Sequence, residues 1–346
     1  MKTGNKYGIH RVIEPQGVLP QPATKVDNNM SQLFDNEILI DVDVLNIDSA
    51  SFTQIKEQAK GNTEEIKCII LDIVTKQGKM KNPVTGSGGM LIGSIAKIGS
   101  ALQGSIDLKE GDRIATLVSL SLTPLFIEEI IDIKPEIDQV KIKGKAILFE
   151  SGIYAKLPAD LSETLSLAVL DVCGAPAQTE RLVKKGDTVV VLGAGGKSGI
   201  LCCAVAKTIV GDDGLVIGAD YSDENIERLI QVGVCDKAIK LNATDALDCY
   251  ETIEAITKGE LADVVINNVN IPNTEMGTIL MCKDRGTVYF FSMATSFTKA
   301  ALGAEGVGKD VDMLIGNGYA IGHADMAIDI LRKDEKIRKL YEELYT

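Results

Sequence analysis

The chain is poor in the residues that build metal and redox centres. It holds two histidines, seven cysteines and no tryptophan in 346 residues. No Cys-x-x-Cys pair and no Cys/His cluster at zinc spacing occurs. The cysteines (68, 173, 202, 203, 235, 249 and 282) are odd in number. Most lie in apolar runs such as Ile200-Leu201-Cys202-Cys203-Ala204-Val205. That usage fits buried free thiols in a reducing compartment. A run long enough to span a bilayer is also missing, and the opening MKTGNKYGIHRVIEPQG has no apolar signal core. The expected location is therefore cytoplasmic. Positive charge is in deficit: 36 Lys and Arg against 49 Asp and Glu give a formal net charge of −13. A field of that sign repels nucleic acid and anionic membrane, and favours a small cationic molecule. No disordered tract, repeat or low-complexity segment is evident.

What is present is an alternation. From about residue 186, short apolar runs are separated by longer amphipathic ones. Thr188–Leu192, Leu215–Ala219, Ala238–Leu241, Val264–Asn268, Val288–Phe291 and Met313–Ile315 read as strands. Ser198–Val210 reads as a helix, and Ser222-Asp223-Glu224-Asn225 caps another that runs to Val232. Continuous apolar strands alternating with helices predict an α/β fold with a doubly wound parallel sheet. The N-terminal part differs. Glu37–Val44 alternates with period two, and Leu91–Ile98 and Asp112–Val118 are further strand candidates between glycine-rich turns. This predicts a β-rich domain of roughly 150 residues, closed by Leu157–Ser162 with a helix starting near Ser162. One long amphipathic stretch runs from His323 to the end.

The stretch VVVLGAGGKSG, residues 189–199, ends in Gly-Lys-Ser as a triphosphate-binding loop does. Such a loop needs its first glycine five places before Gly196, where Val191 stands inside the strand. The pattern G-x-G-x-x-G also fails, because Ser198 takes the third place. Gly193, Gly196 and Gly199, three apart, do fit a strand-to-helix turn that approaches a pyrophosphate, with the next helix aiming its N–H groups at it. Gly195, Lys197 and Ser198 lie in the same turn. Asp220 ends the second strand, where a carboxylate accepts from the adenine ribose hydroxyls and repels a 2′-phosphate, which favours NAD over NADP. Asn242 after the third strand is expected to edge the adenine. Asn267, Asn268 and Ser292, at the ends of the fourth and fifth, are expected to line the nicotinamide side.

With this turn in mid-chain behind a β-rich domain, the sequence resembles the medium-chain dehydrogenase/reductase superfamily. The resemblance rests also on Gly93–Gly99, Lys109–Ile114, Lys185–Val191 and the turn Asn317–Asp325. It implies a GroES-like catalytic domain at 1–160, with 319–346 returning to it, and a Rossmann dinucleotide-binding domain at 161–318. A homo-oligomer, dimer or tetramer, is implied as well. Zinc-dependent members carry a Cys and a His-Glu pair where this chain has Asp48, Gly89 and Met90, so no metal is expected. His10–Pro20, Gly88–Met90, Ser151–Pro158 and a long insert between Val118 and Lys145 resemble a zinc-free branch that oxidatively deaminates a small diamino acid with NAD. A zinc-free alkene or quinone reductase using NAD(P)H, or a non-catalytic nucleotide-binding relative, are the alternatives.

Such chemistry needs a carboxylate near a cationic substrate. Asp48 stands where the superfamily's first metal ligand faces substrate, although Asn46–Ser49 also reads as an ordinary polar turn. Ser49 and Ser51 are hydrogen-bond donors in the same loop. Cys173 falls near the third ligand's place and lines the pocket or is a structural thiol. Arg11 suits the substrate carboxylate or a salt bridge, and His10 and His323 complete the candidates. Glu128, Glu129, Asp132 and Glu136 form either a solvated face or a lid for a cation.

Overall fold

A computed structural model describes residues 2–316 and 318–346, which divide into two compact units, Met1–Glu163 and Thr164–Thr346. Asn317, one residue of the turn noted above, lies outside the described residues. No helix among the described residues is long and apolar enough to cross a membrane.

The first unit pairs β1 (Val12–Glu14) with β2 (Lys25–Val26) and builds a six-stranded sheet from β3 (Glu37–Asn46), β4 (Met90–Ile98), β5 (Arg113–Thr116), β6 (Leu125–Lys134), β7 (Gln139–Phe149) and β8 (Tyr154–Lys156). The order is β6-β7-β3-β4-β5-β8, antiparallel throughout. Along β3, Ile38, Ile40 and Val42 point inward and Asp41 and Asp43 outward, as period two requires. A register shift between Val42 and Val44 against both neighbours then moves the buried set to Leu45 and Ile47. That shift turns the chain into α1 (Ser49–Gln58), which α2 (Thr63–Gln77) follows.

These two helices were not anticipated in a domain read as β-rich. Their signals are nonetheless present: Asp48 caps α1 and Asn62 caps α2, while Ile66, Ile70, Ile73 and Val74 make one buried face. The insert after Val118 is mostly the β6–β7 hairpin. Glu128, Glu129 and Asp132 of its acidic run lie on the outer face of β6, with Glu128 paired to Lys143 at 2.7 Å, and Glu136 is in the exposed turn that follows. The run is a solvated face.

The second unit opens with α3 (Glu163–Leu170), whose first residue ends the first unit, and α4 (Gly174–Leu182). There follow β9 (Thr188–Leu192), α5 (Lys197–Val210), β10 (Leu215–Asp220), α6 (Asp223–Val232), β11 (Lys237–Lys240), α7 (Ala246–Thr257) and β12 (Ala262–Asn267). The chain continues with α8 (Glu275–Leu280), β13 (Cys282–Phe290), α9 (Phe297–Val307), β14 (Asp312–Ile315), α10 (His323–Lys333) and α11 (Glu335–Tyr345). The sheet order β11-β10-β9-β12-β13-β14, all parallel, is the doubly wound arrangement, with its reversal of strand order at β9 and β12. The strands read from the sequence correspond to β9 through β14.

The amphipathic C-terminal stretch is interrupted once. It is two helices, because Asp334 leaves helical geometry (φ −122°) and caps α11 through the amides of Lys336 and Ile337. Residues 319–346 also belong to the second unit. The Tyr341 hydroxyl donates to the Lys197 carbonyl and Tyr341 is wholly buried there, which ties the C-terminus to α5.

Candidate active site

In the second unit, β9 delivers Gly193 (φ +69°) into a turn that lifts the chain over the end of the sheet. Gly196 is the N-cap of α5 and offers no side-chain cap, so the first-turn amides of Lys197, Ser198 and Gly199 are left for an anion. A side chain at Gly199 would stand 2.6 Å from Ala194 Cα and closer still to the Gly193 carbonyl, so glycine is what lets helix and turn touch. The Lys197 ammonium points elsewhere. It pairs with Asp171 at 3.1 Å and sits 5.2 Å from the Tyr345 ring centre. Lys197 therefore offers the turn its backbone amide, as a helix-entry residue.

Asp220 ends β10, 9 % exposed. Its Oδ1 accepts from Tyr221 N (2.9 Å), Ser222 N (3.3 Å) and the Asn225 amide (2.9 Å), and its Oδ2 from Gly195 N (3.0 Å). One oxygen is saturated, and the other keeps a lone pair for a ribose hydroxyl. Around this carboxylate lies a cavity of about 510 Å³, lined among others by Gly193, Gly196, Asp220, Asn225, Asn242 and Asn268. Such a volume suits a nucleotide-sized ligand.

Asn242 sits in that wall with its carbonyl oxygen held by Thr244. Asn268 is there too, and both ends of its side-chain amide are buried without a hydrogen-bond partner. A buried amide with neither donor nor acceptor used is costly, so Asn268 fits a ligand that offers both. Asn267 differs from expectation: it is wholly buried and bonded to Thr274 and Thr278. Ser292 caps its own turn through Ala294 N and is absent from the cavity wall. The residue that sequence reasoning missed is Asn225. Its signal was the Ser222 cap three residues earlier, which fixes which face of α6 turns to the glycines.

Cys173 lies at the start of α4, 2 % exposed, and burial pushes its thiol up to about 12. A thiol held protonated in an apolar setting is a poor nucleophile at neutral pH, which favours the structural reading of Cys173. Cys173→Ala is expected to keep kcat within about twofold, because Cys→Ala only trims a small buried side chain; steady-state kinetics would check it. His323 is also buried, its pKa lowered by desolvation, in edge contact with Tyr319 at 5.2 Å.

In the first unit, Asp48 is the N-cap of α1. One oxygen accepts from Ser51 N at 3.1 Å and the other from the Ser87 hydroxyl. Two of its oxygen sites are thereby used for structure, and the others remain free. Ser49 is exposed and donates to Asp138 at 2.6 Å, while the Ser51 hydroxyl meets Thr85 at 2.5 Å. Gly89 has φ +106°, and a side chain there would lie 2.8 Å from Asp48 N. A metal ligand cannot be placed at Gly89, and Met90 offers only a buried thioether, so these residues do not fit a zinc. Arg11 is 1 % exposed and forks onto the wholly buried Glu37 at 2.8 and 2.7 Å; His10 meets the same carboxylate at 2.8 Å. Both are structural, and Arg11 is not a substrate ligand.

A β-rich unit followed by a doubly wound unit with this turn is the architecture of the medium-chain dehydrogenases/reductases. The CurK enoyl reductase superposes with a TM-score of 0.54 at 15% identity, covering 86% of this chain and 79% of that one. The particular family is set by sequence. The chain belongs to the L-erythro-3,5-diaminohexanoate dehydrogenase family: residues 10–158 match the family's N-terminal domain. It is 62% identical over 342 residues to L-erythro-3,5-diaminohexanoate dehydrogenase of Acetoanaerobium sticklandii, covering 99% of both chains. It is 58% identical over 345 residues to that of Fusobacterium nucleatum subsp. nucleatum, covering both completely.

Proposed function

We propose that the chain is an NAD-dependent dehydrogenase that converts L-erythro-3,5-diaminohexanoate to 5-amino-3-oxohexanoate and ammonia. The full-length identity of 62% to a relative of that name carries the reading, and the nucleotide-sized cleft with Asp220 at its rim supports it. NAD supplies one thing here, acceptance of a hydride from C3. The C3 amine must first lose a proton; hydride departure then leaves an iminium, which water attacks, and ammonia departs. The balance is diamine cation + NAD⁺ + H₂O → ketone + NH₄⁺ + NADH + H⁺.

The residues divide the work as follows. First-turn amides of α5 hold the pyrophosphate, Asp220 accepts from the adenine ribose, and Asn242 and Asn268 line the cleft. Asp48 offers its free lone pairs to a substrate ammonium, with Ser87 and the α1 amides holding it in place. The net charge of −13 suits a cationic amino-acid substrate. A homo-oligomer is part of the proposal: among the described residues β14 pairs only with β13, and Ile315 on that strand and Phe297, Leu302 and Val307 on α9 are exposed.

The test is spectrophotometric. NAD and the diamine should give NADH and free ammonia in equal amounts, with no loss of rate under a chelator. Oxidation of NADPH by a quinone, without NADH from the diamine, would move the assignment to a reductase. Inactivation by chelator, reversed by zinc, would overturn the metal-free site.

A further inference from the structure

Asn225 touches three things at once. Its Cα stands 2.9 Å from where a side chain at Gly195 would begin, so it packs on the glycine turn. Its amide nitrogen donates to Asp220 Oδ1 at 2.9 Å, and its carbonyl oxygen accepts from Arg228 at 2.7 Å. Arg228 also pairs with Glu224, one turn earlier on α6, and its side chain is 22% exposed. The sequence around Asp220 shows no neighbouring arginine; helix α6 brings one to within two hydrogen bonds of the carboxylate. Two other cations near the turn are tied down, Lys197 to Asp171 and Lys240 to Asp223 at 2.8 Å.

We propose that Asn225 and Arg228, with Asp220, set the choice of dinucleotide, an inference that rests on the dinucleotide reading of the cleft. Asn225 holds Asp220 in the pose that receives a ribose diol, and the same amide ties back the guanidinium that a 2′-phosphate would need. The carboxylate therefore meets the ribose with none of these three cations free beside it, and a 2′-phosphate is repelled. Removing the carboxylate leaves Asn225 with one partner fewer and Arg228 as a cation two hydrogen bonds from the vacated position. A planar guanidinium grips phosphate in two places, so the specificity would invert through Arg228 and not merely relax.

Calorimetric titration of the full chain with NAD and with NADP tests this. Asn225→Ala should weaken NAD about tenfold, the loss of one hydrogen bond to a charged group. Asp220→Ser should gain NADP binding, and Asp220→Ser/Arg228→Gln should lose that gain by about tenfold or more while its NAD affinity matches that of Asp220→Ser. Equal NADP affinity in those two variants, or wild-type NAD affinity in Asn225→Ala, would overturn the proposal. Arg228 is partly exposed, so the Arg228 comparison decides even if Asn225→Ala does not fold. Failure of the wild-type chain to bind either dinucleotide would instead sink the dehydrogenase reading.

Discussion

Glu37→Gln is expected to destabilise the first unit by about 3–5 kcal/mol, the cost of leaving a buried charge without its partner. Glu37 and Arg11 are both wholly buried and joined by two hydrogen bonds, and His10 and Phe34 N bond the same carboxylate. Burial by itself would raise the carboxyl pKa. The Arg11 and His10 hydrogen bonds and the Phe34 amide more than offset it and bring Glu37 to about 2. A depressed carboxylate contributes stability that is present above its unfolded value and lost as pH falls. The wild type should therefore lose this contribution between about pH 4.5 and 2, and the variant should show a flatter acid limb. Denaturant melts across that range would check both. An unchanged midpoint at neutral pH would show that the pair contributes nothing net. The site is structural, so kcat measured below the melting temperature should survive.

Gly199→Ala should have the other large effect, this time on the second unit. The added methyl would press on Ala194 Cα and the Gly193 carbonyl, backbone atoms that cannot swing aside as a side-chain tip can. Overpacking of this kind costs about 1–3 kcal/mol, and the only relief is to push α5 away from the turn. The first-turn amides then lose their aim at the pyrophosphate, so NAD binding should fall by at least about tenfold, more than one hydrogen bond's worth. Gly306→Ala is the control. It lies within α9 with open space where its Cβ would go, and alanine there should raise stability by about 0.5–1 kcal/mol. Fluorescence titration with NAD, alongside thermal melts, separates lost binding from lost folding. Tight NAD binding by Gly199→Ala would remove the glycine spacing as a cofactor signature.

Much of the second unit was legible because parallel strands buried on both faces write themselves as apolar runs. Val189, Val190 and Val191 are all fully buried, as a strand covered on both faces requires. The glycine turn was legible by counting, since a P-loop glycine cannot be Val191. In the first unit the helices α1 and α2 were hidden by the company they keep. Their caps, Asp48 and Asn62, are also ordinary turn residues, and Asp48 had drawn a functional reading to itself. The C-terminal pair was read as one amphipathic stretch returning to the first domain because amphipathicity says that a face is buried, but not against what. Cys173 and Arg11 each had a functional and a structural reading open, and the structural one has the same support in both: residue type states what a group can do, and burial decides whether it is free to do it.

Order along the chain was thus enough for the parallel sheet, the dinucleotide turn and the acid that ends β10, because each depends on residues close in sequence. Spatial convergence decided the rest. Arg11 became a buried counterion because Glu37 lies opposite it, 26 residues on. Lys197 was turned from the phosphate turn by Asp171 and Tyr345. Asn225 entered the cofactor cleft because the first turn of α6 packs it between Gly195 and Asp220, contacts that no spacing rule in the chain records.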